Sequence, residues 1–220
     1  MRHKQMGFTL VEIAIVLVII GLLLGGVLKG QELITQAKIK NVANDFNGLS
    51  AGIYAYQDRY KSFPGDDNGA VARWGATTAD GNKDGSVGGE MSAACAAAAT
   101  DESCLFWQHL RFSGLIAGDT ATRSQPQNAA GGLLGVQANA GLVAAPVLSG
   151  LVICSTNLLG KIASAIDTQF DNGDPATGSV RGFTQTGSVT PGVATNPTRA
   201  APAAAYVDDG STLYTVCKGV

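Results

Sequence analysis

Gly7-Phe8-Thr9-Leu10-Val11-Glu12 opens an apolar run that ends at Leu28, and Glu12 is the one charge inside it. As a helix rising 1.5 Å per residue, Phe8 to Leu28 would extend roughly 30 Å, enough to cross the hydrocarbon core of a bilayer. Arg2 and Lys4 precede the run, with no acid among the first seven residues. That asymmetry predicts a cytoplasmic N-terminus, with everything after Lys29 on the far side of the membrane. The run is longer than the core of an ordinary secretory signal, and no A-x-A-like cleavage site ends it.

A plain signal anchor does not explain Glu12. A carboxylate one turn inside an apolar helix is costly unless paired, and no residue of the run carries an opposite charge to pair with it. Its partner must come from another chain, or from an α-amine freed by cleavage nearby. Gly7 followed by Phe8-Thr9-Leu10-Val11-Glu12 resembles the class III signal of type IV prepilins and type II secretion pseudopilins. The resemblance implies that a membrane peptidase cuts between Gly7 and Phe8 and N-methylates Phe8. It implies that Glu12, the fifth residue after that cut, neutralises the N-terminus of a neighbouring subunit during assembly.

From Ile39 the apolar positions are Ile39, Val42, Phe46, Leu49, Ile53, Tyr56 and Tyr60, in alternating steps of three and four. That is one face of an amphipathic helix. No proline precedes Pro64, so nothing in the sequence stops a helix before Ser62-Phe63-Pro64-Gly65. The expected organisation is a leader over 1–7, a membrane or filament-core half-helix over 8–30, an amphipathic spine over 31–61 and a globular head over 62–220. Gly21, Gly25, Gly26 and Gly30 form two small-x-x-x-small patterns suited to close helix approach. Glycine enrichment is also ordinary in membrane helices.

In the head, Leu151–Cys154, Ser179–Phe183 and the alternating Ser211–Cys217 read as strands, with shorter ones near Leu133–Val136 and Leu142–Val143. Asp101–Phe112 and Leu158–Phe170 read as helices, and Thr184–Ala204 as an exposed loop. The fold class expected is α+β: a pilin-like long N-terminal helix packed on a small antiparallel sheet with loop-rich insertions.

The four cysteines allow three pairings and contain no C-x-x-C. Cys95–Cys104 closing a short alanine-rich loop and Cys154–Cys217 tying back the C-terminal strand are the pairs expected on an oxidising side of the membrane. The resemblance supports the second pair, since pilins often fasten their C-terminal region so.

Asp80, Asn82 and Asp84 followed by Gly85 match the first half of a calcium loop. The bidentate acid should then stand at Met91, whereas Glu90 is one residue early. Asp-Gly and Asn in series also simply make turns. A structural calcium on Asp80, Asn82, Asp84 and Glu90 is one reading; Asp66 and Asp67 complete its shell only if the fold brings them near. No other cofactor is expected.

His109 is the one histidine after the leader's His3, so a Ser-His-Asp catalyst would have to use it. No G-x-S-x-G elbow supports that, and the expectation is a structural protein rather than an enzyme. A net charge of −2 leaves no nucleic-acid footprint. The partners implied are copies of the chain or other pilins, the prepilin peptidase and N-methyltransferase, and the inner-membrane assembly machinery. The chain would cross the inner membrane once, with its head periplasmic, and then enter a pilus or secretion filament. A head that binds ligands from a membrane tether without polymerising is the alternative.

Overall fold

In the computed structural model, residues 9–142, 144–193 and 196–220 are described. The cleavage pair Gly7 and Phe8 lies outside them. The chain divides into two compact units, one ending at Lys38 and one spanning Ile39–Val220. Helix α1 (Leu10–Tyr60) contributes residues to both.

In the first unit the apolar side chains from Leu10 to Leu28 stand exposed along α1. It is the one helix among the described residues long and apolar enough to span a membrane. A Cβ added at Gly21, Gly25, Gly26 or Gly30 would meet nothing within 4 Å, so no packing inside this chain requires those glycines.

In the second unit the predicted stripe is the buried face of α1. Val42, Phe46, Leu49, Ile53 and Tyr56 are buried, while Ile39 and Tyr60 are half-buried at its ends. Against it packs a four-stranded antiparallel sheet of order β1 (Leu134–Leu142), β2 (Ala145–Leu159), β4 (Leu213–Gly219), β3 (Val180–Thr184). Side chains alternate across the sheet. Val136, Leu151, Ile153 and Val216 join the core that includes α1 and helix α4 (Gly160–Phe170). Val152, Cys154, Phe183 and Cys217 form a second core with Met91 on the other face. The architecture is α+β, a long helix with a small antiparallel sheet and extra helices.

Three segments differ from expectation. Where two short strands were expected around Leu133–Val136 and Leu142–Val143, residues 134–142 form one strand, β1, with register shifts between Ala138 and Gly141, and Val143 lies outside the described residues. Leu158 belongs to β2, paired with Tyr214, and α4 starts only at Gly160. A bulge between Ser155 and Leu158, with Asn157 at φ 58°, lets the strand continue. Thr184–Ala204 is not a wholly exposed loop, since Gln185, Val189, Thr198 and Ala203 are buried. Gln185 holds it in place by accepting from Asn157 N–H at 2.8 Å and donating to Gly187 O at 3.0 Å.

Candidate functional site

The first turn of α1 is closed by its own side chains. Thr9 precedes the first helical residue, Leu10, and Glu12 is the third. Thr9 N–H and Thr9 Oγ1–H donate to Glu12 Oε2 at 2.8 and 2.7 Å, and Glu12 N–H donates to Thr9 Oγ1 at 3.3 Å. This is a capping box, in which a Thr hydroxyl and a glutamate three residues on satisfy each other's backbone donors. It places the carboxylate at the helix's N-terminal end, where the first-turn N–H groups carry partial positive charge.

In the head, the polar groups lie on α2 (Ala70–Trp74), on α3 (Glu102–Phe112) and in the segments that flank α2. The structure brings Asp84 together with Asp66 and Glu102, their carboxylate oxygens within 4.8 Å of one another. It does not bring Asp84 together with Asp80 and Glu90. Asp80 accepts from Val71 N–H at 2.8 Å, in the first turn of α2. Glu90 pairs with Arg199 at 3.3 Å and with the Asn196 amide. Asn82 stays beside Asp84, donating from Nδ2 to Asp84 Oδ2 at 3.0 Å.

Each buried member of the trio is already engaged by backbone donors. Asp66 accepts from Asp84 N–H at 2.9 Å and Gly85 N–H at 3.0 Å. Glu102 accepts from Asn82 N–H at 2.9 Å and Gly88 N–H at 2.7 Å. Two carboxylates thus fasten the 80–88 turn to the start of α3 and to the segment after α1. Burial pushes the Asp66 carboxyl above the usual carboxylate range, against the opposing pull of the Gly85 N–H. Asp67 serves a different contact, accepting from Tyr56 O–H at 2.7 Å and pairing with Arg73.

His109 is fully buried. Its Nδ1 accepts from Gly65 N–H at 3.0 Å, and its Nε2 lies 3.0 Å from Ala79 O. Gly65 approaches so closely that a Cβ there would sit 2.3 Å from Glu102 O, and its φ of 89° also favours glycine. Beside His109, Gln108 is equally buried and accepts from Thr78 Oγ1–H at 3.0 Å and Arg123 Nε–H at 2.7 Å. The alternation at residues 80, 82 and 84 points to the turn, and the condition set for Asp66, that the fold bring it near, is met. Asp67, named on the same condition, goes to Tyr56 and Arg73 instead, and the sequence carries no signal for Glu102.

Disulfides join Cys95 to Cys104 and Cys154 to Cys217. The first staples the 92–101 loop to the first turn of α3, and the second bridges directly opposed residues of β2 and β4.

Residues 2–28 match the family model described as the prokaryotic N-terminal methylation motif. No curated protein matches the chain.

Proposed function

We propose that the chain, whose residues 2–28 match the prokaryotic N-terminal methylation motif, is a filament subunit of the type IV pilin and type II secretion pseudopilin family. The prepilin peptidase cuts between Gly7 and Phe8 and methylates Phe8. The N-terminus of the unprocessed chain faces the cytoplasm, and the head is periplasmic. Subunits leave the inner membrane by burying their apolar helices against one another, and Glu12 neutralises a neighbour's N-terminus.

One observation carries this reading. A helix with the methylation motif exposes every large apolar side chain from Leu10 to Leu28, with a single carboxylate among them. Exposed apolar area of that extent needs lipid or other helices. Four glycines that touch nothing in this chain suit close helix approach in a polymer. A pilus and a secretion pseudopilus use the same chemistry, and the reading covers both.

Glu12→Ala tests it. In cells carrying the peptidase and the assembly machinery, processing of the variant is expected to continue while incorporation into filaments falls severalfold. Incorporation at the wild-type level would contradict the proposal and favour a tethered binding module.

A further inference from the structure

The buried imidazole of His109 joins three segments that are distant in sequence. It stands on α3, stacks on Tyr56 of α1 at 6.4 Å and 9°, and faces Trp74 of α2 at 5.9 Å. Its two nitrogens bind Gly65, in the segment after α1, and Ala79, in the segment after α2. Both contacts require one neutral tautomer, because Nδ1 must accept from an N–H while Nε2–H donates to a carbonyl. We propose that His109 is an acid-released latch, which holds residues 62–69 when neutral and lets them go when it takes up a proton.

The chemistry is a donor facing a donor. A proton taken from solvent onto Nδ1 points an N–H at Gly65 N–H, and the two must separate. Asp66, the next residue, holds the Asp84 and Gly85 N–H groups, so release of Gly65 loosens the 80–88 turn as well. The charges around the ring are Asp67 in the latched segment, Asp80 after α2 and Arg73 on α2. Tyr56 is the titratable group facing it from α1. The two aspartates favour the protonated ring and Arg73 opposes it, but burial is the larger effect and holds the imidazole below its usual range. The closed form therefore resists protonation, and acid acts by stabilising the open form.

The test uses the full chain in detergent micelles. Backbone hydrogen–deuterium exchange, corrected for intrinsic rates, is followed in peptides covering residues 62–69. Exchange at the imidazole C2–H of His109 reports its protonation. Between pH 7.5 and 5.0, opening of this segment should rise by up to about 30-fold, because a released imidazole titrates near its ordinary value of about 6.5. In His109→Asn, whose amide oxygen can still accept from Gly65, that rise should vanish even though the nearby carboxylates still titrate. Unchanged protection in the wild type, or an equal rise in His109→Asn, would overturn the latch. If the variant does not fold, the wild type decides alone: a His109 that protonates while residues 62–69 stay protected sinks the proposal.

Discussion

Thr9 and Glu12 hold each other at the start of α1, with the Thr9 N–H and hydroxyl both donating to one oxygen of Glu12. The proposed assembly role gives Glu12 a second partner, the N-terminus of a neighbouring subunit. Because Glu12 is exposed, it can reach outward from this box. Thr9→Val keeps the side-chain shape but removes the hydroxyl. It should fray the first turn, seen as severalfold faster amide exchange at Leu10–Glu12 in micelles, with the helix from Ile13 onward unchanged. Unaltered exchange would show that the box does not order the turn.

The two disulfides should differ in weight. They close loops with sequence separations of 9 and 63 residues. Loop-entropy arguments give about 3 kcal/mol for the short loop and about 4 for the long one. Denaturant unfolding of Cys95→Ala/Cys104→Ala and Cys154→Ala/Cys217→Ala should show that order. The second pair should also weaken the β2–β4 pairing, because Cys154 and Cys217 face each other across it and are fully buried.

Gly65→Ala should destabilise the head by more than about 2 kcal/mol, since it combines a left-handed backbone with a clash against α3. An added Cβ would meet the Glu102 carbonyl oxygen, which belongs to backbone and cannot swing aside. A thermal scan that finds the variant as stable as wild type would mean the segment can back away from α3 freely.

Asp167 sets a pH dependence of its own. Its carboxylate accepts from Tyr206 O–H at 2.7 Å and Gly173 N–H at 2.9 Å, yet burial is the larger effect and raises its pKa. A raised folded-state value means the group stabilises the fold below its unfolded value, near 3.8, and loses that contribution as pH rises through the folded value. Asp167→Asn lacks this term. The variant's melting temperature should therefore improve relative to wild type between pH 4 and pH 7, and a relative decline over that interval would reverse the sign of the argument.

Much of this was legible in the chain. The three-four spacing from Ile39 to Tyr60 located the buried face of α1, because one helix face packed on one sheet imposes that period. The alternation in Ser211–Cys217 located β4, whose Tyr214 and Val216 enter the core shared with α1 while Cys217 enters the core on the other face. Thr184–Ala204 misled because burial there is secured by polar side chains such as Gln185 and Asn157, whose hydrogen bonds leave no apolar period to read. The acidic trio was only partly legible, because Asp66 and Glu102 reach Asp84 through tertiary folding. Glu90, close in sequence, is instead drawn to Arg199, 109 residues away.

The most direct measurement is the intact mass and N-terminal sequence of the chain recovered from cells that carry a prepilin peptidase. The mature protein should begin at N-methylated Phe8 and lack Met1–Gly7. A chain that keeps those seven residues in the presence of an active peptidase would contradict the proposal.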